Sequence, residues 1–312
     1  MNNNIICITP IDHIRGVYDN LKSCGDISYY PEIGKEQLKD VLSKVDYNTI
    51  FTNPNKQNYI IDEQVLFRSN IKNIITASTG LNHIDRNCCA SLNIKVYSLT
   101  KEYNIINKIT STAEHSFGLI LSLIRNIPVS HYDVIENKNW DYTKYIGKQL
   151  TELTLGIIGY GRLGKMIAKY AKAFGMGVQI YDPPKGYNDL RALQKQSDIL
   201  TLHVHPNENT IGMITKEYLE RFQNKIYLIN TSRGEIVDED SIIKCLKNGK
   251  LYGYATDVIK DEFGGVSESK IVNYAKNLNI IITPHVGGMT TQAQEIAYNG
   301  IISRFKTEQT EL

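Results

Sequence analysis

The sequence predicts an α/β protein made of two doubly wound parallel-sheet domains, and three observations carry that expectation. Short β-branched apolar runs alternate with segments of helical periodicity along most of the chain, the pattern of a parallel sheet covered by helices. At 312 residues the chain is long enough for two such domains. Residues 153–182, LTLGIIGYGRLGKMIAKYAKAFGMGVQIYD, run in the order strand, glycine turn, helix, strand, acid.

In chain order, strands are expected at 5–9, 27–30, 49–52, 73–77 and 95–98, with helix-length segments such as 34–44 and 62–69 between them. The motif STGLNHID, 78–85, follows one of these strands. Gly80 offers a backbone turn whose N–H groups suit a carboxylate, since ligands gather beyond strand carboxyl ends. An ordinary loop, with Asn82 or Asp85 capping the next helix, accounts for the same residues equally well. Residues 112–125, TAEHSFGLILSLIR, predict a helix too apolar for a surface, expected between domains or between subunits. His115 on it reads as a helix-face or capping residue rather than a catalyst. Pro128 marks an interruption, and Trp140 falls in a polar connecting stretch.

The glycine unit comes next. Leu153, Leu155, Ile157 and Ile158 form a run expected of a strand buried on both faces. Leu163, Met166, Ile167, Tyr170, Ala171 and Phe174 then mark one face of an amphipathic helix that Gly175 ends. Gly159 permits a tight turn, Gly161 lets a pyrophosphate approach the backbone, and Gly164 lets the helix pack close to its strand. The helix N-terminus adds N–H groups and a positive dipole end. Asp182 suits ribose hydroxyls and repels a 2′-phosphate, and no arginine follows it in PPKGYN, so NAD rather than NADP is the expected cofactor. A glycine turn that merely packs a helix on a sheet is the alternative.

Beyond Asp182, strands are expected at 199–204, 226–229 and 251–256. LHVHP, 202–206, closes the first of these, and His203 and His205 read as satisfied loop histidines with a positional role. Asp238, Glu239 and Asp240 open a helix running to Gly249, acids first and lysines last, as the macrodipole favours.

The bulk numbers narrow the function. A formal charge of +2 with short, mixed charge runs gives no case for nucleic-acid or membrane partners. Five cysteines, at 7, 24, 88, 89 and 245, lack metal-ligand spacing and fit reduced thiols in a cytoplasm, with Cys88 and Cys89 as packing residues. The longest markedly apolar segment, 117–124, falls far short of the roughly 20 residues a membrane helix needs. The opening MNNNIICITP has no secretion-signal pattern. A soluble cytoplasmic protein with a small-molecule substrate and no metal is the expectation.

Three strand ends then supply chemistry: NTSRG at 230–234, DVIKDE at 257–262 and TPHVGG at 283–288. In a doubly wound sheet they face the same crevice as the glycine turn, so Arg233, Glu262 and His285 can converge. An arginine fork binds a carboxylate in two places. A histidine gives and takes the proton that accompanies a hydride, and a carboxylate beside it orients the ring. Singly, each of the three has a bland reading as surface or structural residue.

With these motifs in hand, the chain resembles the D-isomer-specific 2-hydroxyacid dehydrogenases. STGLNHID, TAEHSFGLILSLIR, GIIGYGRLG, LHVHPNENT, INTSRGEIVDE, DVIKDE and TPHVGG match that family's motifs in order and spacing over nearly the whole chain. The resemblance implies that Arg233 binds substrate carboxylate and carbonyl, His285 is the general acid/base and Glu262 holds His285. It places Arg162 and Leu163 on the pyrophosphate, Asp182 on the adenosine ribose, and Val204, His205 and Thr210 along the cofactor. Thr231, Ser232 and Asp257 would flank the nicotinamide, and backbone at Thr79 and Gly80 would meet the substrate carboxylate.

The same resemblance implies an architecture: an NAD-binding Rossmann domain, 104–285, inserted into a flavodoxin-like substrate domain formed by 1–103 and 286–312. A helix at 290–305 would complete the latter, no regulatory domain would follow, and a homodimer would form through the cofactor domain. The implied reaction is NAD-dependent interconversion of a small D-2-hydroxy acid, of glycerate, lactate or 3-phosphoglycerate type, with its 2-keto acid. A non-enzymatic NAD(H)-sensing, corepressor-like protein of the same fold is the alternative, and formate- or phosphonate-like substrates are a second. Two positions depart from the family, His205 and Phe263 each replacing a usual proline; separately, Thr76 stands where many phosphoglycerate-oxidising members have arginine, with Lys56 the nearest other charge.

Overall fold

The computed structural model describes residues 3–54, 59–260, 262 and 266–310; Lys56 and Phe263 lie outside them. The chain divides into two compact units, one made of Met1–Ile109 with Gly288–Leu312, the other of Thr110–Gly287.

The first unit is built on β1 (Asn3–Cys7), β2 (Gly25–Tyr29), β3 (Thr49–Thr52), β4 (Asn73–Thr76) and β5 (Lys95–Tyr97). They form one parallel sheet in the order β2-β1-β3-β4-β5, the flavodoxin-like arrangement. Both faces are covered: Ile5 and Cys7 enter one apolar cluster, and Ile6 and Ile8 enter the other. That double burial is why these strands read as continuous apolar runs instead of alternating ones.

The Thr291–Thr310 helix returns to this unit after the second has been completed. Its Tyr298 ring packs on Phe51 and its Phe305 ring meets Tyr97 edge-on, with Ile301 fully buried between them in sequence. Each such side chain is worth roughly 1.5–3 kcal/mol of burial. The helix runs five residues beyond its expected end at 305. The helix expected at 62–69 is a single turn, Glu63–Leu66, capped by the Asp62 carboxylate accepting from the Val65 N–H. It stops there because Phe67 is extended and Arg68 adopts φ 60, which no right-handed helix tolerates.

The second unit contains β6 (Thr154–Ile158), β7 (Gly177–Tyr181), β8 (Ile199–Leu202), β9 (Ile226–Asn230), β10 (Leu251–Thr256) and β11 (Ile280–Ile282). All pair in parallel, in the order β11-β10-β9-β8-β6-β7. The chain lays β7 on one side of β6 and β8 on the other, so the direction of winding reverses at β6, where open α/β sheets bind ligands.

Register fixes what gathers there. Tyr181, Ile158, Leu202, Asn230, Thr256 and Ile282 are partners in one continuous row across all six strands. The next residue of each strand therefore leaves the sheet at the same level: Asp182, Gly159, His203, Thr231, Asp257 and Thr283. Residues spread from 159 to 283 become neighbours because six strands end in register.

The Ser111–Ile124 helix packs into the core of the second unit. Phe117 meets Tyr170 and Phe174 of the Arg162–Ala173 helix and its continuation, while Ile120 and Leu123 join Ile229 and Ala255 of the sheet in one core. A helix covered by a sheet on one side and a helix on another needs apolar residues on several faces.

Candidate active site

The glycine turn has the geometry its sequence requires. Gly159 adopts φ 90, and a Cβ there would stand 2.4 Å from the His203 carbonyl oxygen. A Cβ on Gly164 would stand 2.1 Å from the Gly159 carbonyl, so the helix can sit this close to its strand only with glycine. Gly161 differs: it caps the Arg162–Ala173 helix, and a Cβ would meet only Lys185 Nζ, 3.9 Å away. The two outer glycines are filled by protein, and the middle one opens on space at a helix N-terminus. That is a cradle of the kind a pyrophosphate enters, and the residues fit a dinucleotide.

Around it, Asp182 is 8% exposed and its Oδ2 accepts from the Tyr160 N–H at 2.6 Å and from Lys185 Nζ at 2.8 Å. Burial holds the Arg162 guanidinium below its ordinary pKa. In the loop after β8, Thr210 Oγ1 donates to the His205 carbonyl at 2.6 Å and accepts from the Asn207 N–H, shaping the segment that carries Val204 and His205. Burial, then the charges of Arg233 and Lys185, lower His205 and favour its neutral ring. His203 is only half satisfied, unlike the expected loop histidine. Its Nε2 pairs with Thr201 Oγ1 at 3.0 Å, its Nδ1 has no partner among the described residues, and burial pushes its pKa down to about 4.

The loop after β9 is shaped by Asn230. Its side-chain Oδ1 accepts from the Ser232 N–H at 3.0 Å and its Nδ2 donates to the Arg233 backbone carbonyl at 2.8 Å. Ser232 Oγ donates to the Leu202 carbonyl, and Thr231 Oγ1 pairs with Ser116 Oγ. Arg233 is half-buried and its Nη1 donates to the Ser232 carbonyl at 2.6 Å. A Cβ on Gly234 would lie 2.1 Å from the Ile259 carbonyl carbon, so the Arg233 loop presses against the backbone leading to Glu262.

The loops after β10 and β11 are joined by a carboxylate. Asp257, 2% exposed, accepts from Thr283 Oγ1 at 2.5 Å, the Val286 N–H at 2.9 Å and the Gly287 N–H at 2.8 Å. His115 Nε2 stands 3.3 Å away and pairs with Thr283 Oγ1 at 2.9 Å. Burial alone would raise the Asp257 pKa, but hydrogen bonds from His115, Thr283 and the two N–H groups together hold it below 3.8. The cluster brackets His285, whose N–H donates to the Asp257 and Thr283 carbonyls and whose φ is 53. A left-handed conformation costs a residue with a Cβ roughly 1–2 kcal/mol, which the Asp257 hydrogen bonds oppose. The His285 ring then lies with Nδ1 2.8 Å from Glu262 Oε2. That contact with the carboxylate fixes the orientation of the ring.

The structure thus brings the glycine turn, Asp182, Arg233, Glu262 and His285 to one end of one sheet. Thr79 and Gly80 belong to the first unit, where their carbonyls accept from Thr100 Oγ1 and Ser78 Oγ and Asp85 caps the Arg86–Ser91 helix. Thr76 is fully buried in that unit, its hydroxyl between Ser78 Oγ and His83 Nε2, both at 3.0 Å. Four contributors escaped the sequence reading: His115, Thr283, Asn230 and Lys185. Of these only Asn230 carries a local signal, as the asparagine of a tight turn two residues before Ser232.

Comparison with known proteins follows this geometry. The family described as D-isomer specific 2-hydroxyacid dehydrogenase, NAD binding domain, matches residues 117–287. Hydroxypyruvate reductase of Thermotoga maritima is 32% identical over 83% of this chain and 83% of its own length. D-3-phosphoglycerate dehydrogenase of Bacillus subtilis is 34% identical over 72% of this chain, which spans only 43% of that longer protein. The solved structure of D-lactate dehydrogenase from Aquifex aeolicus with NAD and lactic acid superposes with a TM-score of 0.78 at 28% identity, covering 99% of this chain and 96% of that one. The chain belongs to the D-isomer-specific 2-hydroxyacid dehydrogenase family. It is an NAD-dependent oxidoreductase of that class, interconverting a D-2-hydroxy acid and its 2-keto acid.

Proposed function

We propose that Arg233, Glu262 and His285 carry this reaction on a short, unphosphorylated acid of glycerate or lactate type. The observation that carries the reading is the His285 Nδ1–Glu262 Oε2 hydrogen bond of 2.8 Å at the sheet end that also presents the glycine turn. NAD supplies the hydride acceptor at C4 of its nicotinamide when bound. His285 Nε2 takes the hydroxyl proton in oxidation and returns it in reduction, and Glu262 fixes the ring and stabilises its charged form. Arg233 binds the carboxylate and polarises the carbonyl. Gly159, Gly161, Arg162, Leu163, Gly164 and Asp182 hold the adenosine and pyrophosphate part. Val204, His205, Thr210, Thr231, Ser232 and Asp257 shape the rest of the cofactor site, and backbone at Thr79 and Gly80 contacts the substrate carboxylate.

Two features favour an unphosphorylated acid: Thr76 carries no charge, and its hydroxyl is spent inside its own unit. The residue ranges 1–103 with 286–312 then make the substrate domain and 104–285 the dinucleotide domain. A panel of 2-keto acids with NADH, followed at the nicotinamide absorbance, tests the assignment. Hydroxypyruvate, glyoxylate or pyruvate is expected to support oxidation of NADH. Tight NADH binding with no turnover across the panel would instead favour the corepressor-like alternative.

The proposal extends to a cytoplasmic homodimer. All five cysteines are free thiols, and burial pushes Cys7 up to about 12 and Cys89 up to about 11, which fits packing rather than redox chemistry. No helix among the described residues is long and apolar enough to cross a membrane. In the second unit, Ile127, Tyr132, Ile135, Trp140, Tyr142 and Ile146 are all exposed within twenty residues, Trp140 to 90%. A run of this kind marks an interaction surface. Changing Ile135 and Trp140 together to glutamate is expected to convert a dimer to a monomer in light scattering; an unchanged mass would reject this surface.

A further inference from the structure

The first unit carries a cavity at the amino ends of β4 and β5, whereas the loop at 78–85 follows the carboxyl end of β4. It encloses about 310 Å³, at the low end of small-molecule pockets. Leu66, Ile71 and Ile94 line it from within; all three are buried in the core on one face of the sheet. Phe67 and Leu92 line its edge and stay 63% and 46% exposed. Residues 66–69 form a type II turn: Phe67 adopts φ −60 and ψ 127, Arg68 adopts φ 60, and the Ser69 N–H donates to the Leu66 carbonyl at 3.1 Å. The third position of such a turn calls for glycine or asparagine, because a Cβ crowds the backbone there. An arginine occupies it, and its guanidinium lies 5.2 Å from the centroid of the Phe67 ring.

We propose that this cavity binds a small apolar monocarboxylic acid, with the carboxylate on Arg68 and Lys72 and the hydrocarbon over Leu92 and the buried lining. Neither cationic side chain makes a hydrogen bond or an ion pair among the described residues. The strained turn therefore places a guanidinium at the edge of an apolar cavity without using it inside the fold. An arginine fork takes both oxygens of a carboxylate, and the lysine adds a point charge beside it. Glu63 sets the limit on charge. Two cations against this one carboxylate leave the lining with one positive charge, which matches a monoanion and disfavours a phosphate dianion. An apolar body is called for because Phe67 and Leu92 continue the core surface out into water, and covering them is favourable. The site is independent of Arg233, Glu262 and His285, which belong to the other unit.

Calorimetric titration of the purified protein with 4-methylpentanoate tests this, since that acid lacks the 2-oxygen on which hydride transfer acts. Wild type is expected to bind it with a Kd of about 1 mM or tighter, and to bind the uncharged 4-methylpentanamide at least about tenfold more weakly. Arg68→Gly should weaken the acid at least about tenfold, the worth of one charge-assisted hydrogen bond, without lowering the melting temperature, because glycine suits the left-handed position. Should that variant not fold, Lys72→Gln, a change at an exposed side chain, decides the same point with the same loss expected. Arg233→Ala should leave the binding unchanged, which separates this cavity from a carboxylate site at that arginine. No saturation of wild type by about 10 mM acid overturns the proposal. Equal affinity for acid and amide, retained binding in a folded Arg68→Gly, or binding lost in Arg233→Ala overturns it as well.

Discussion

His285→Ala is expected to lower turnover at least about 10²-fold, the low end for removal of a general acid/base, while NADH still binds. In the proposed mechanism the imidazole moves the substrate proton, and neither His203 nor His115 can replace it there. His203 is buried neutral, with its Nε2 committed to Thr201, and His115 is committed to Thr283 and Asp257. Glu262→Gln should give a smaller loss, because the amide still accepts from Nδ1–H but no longer stabilises the charged ring. Arg233→Ala belongs with His285→Ala in size but differs in kind: it should raise KM for the acid as well as lower kcat, since the proposed role of the guanidinium is to bind carboxylate and carbonyl alike. Steady-state kinetics of the three variants separates these patterns. Wild-type rates in both alanine variants would remove the assignment.

Asp257→Ala should be the most damaging change that leaves the three chemical groups intact. It strips an acceptor from the Thr283 hydroxyl, two backbone N–H groups and His115, all around a carboxylate that is 2% exposed. Removing one partner from a buried charged network costs about 3–5 kcal/mol. The melting temperature should then fall by roughly 10 °C. Activity should fall further than stability accounts for, because His285 loses the hydrogen bonds that hold its neighbours and its φ of 53 relaxes. Asp257→Asn keeps one acceptor and should recover part of both losses. The pH dependence has a definite sign. The folded carboxyl titrates below its ordinary 3.8, so its contribution is complete above that value and is lost as pH falls through the lower folded value. The stability gap between wild type and Asp257→Ala should therefore be constant near neutrality and narrow only in acid. A gap that persists unchanged in strong acid would show that the carboxylate charge is not what holds the loop.

Much of this was legible in the chain. The β-branched runs mark strands because both faces of each sheet are covered, and the glycines at 159 and 164 announce a turn and a close helix–strand approach that only glycine allows. Arg233, Glu262 and His285 could be singled out because each follows a strand, and strand ends of a doubly wound sheet share a crevice. What sequence could not show is what depends on register and on folding back. The Asp257 cluster joins His115 on a helix to Thr283 after β11, and nothing local links two such positions. Lys185 was read as a residue in a loop lacking arginine, because the 3-10 turn and the left-handed Gly186 that return it to Asp182 are tertiary facts. The apolar helix at 111–124 shows a related limit: apolarity on several faces reports burial without saying what does the burying.

The most direct measurement is the isomer of hydroxy acid formed from the best keto acid of the panel, by wild type and His285→Ala in parallel under NADH. The D isomer from the wild type, with at least about 10²-fold less of it per unit time from the variant, is the expected result. The L isomer, or an equal yield from the variant, would contradict the account.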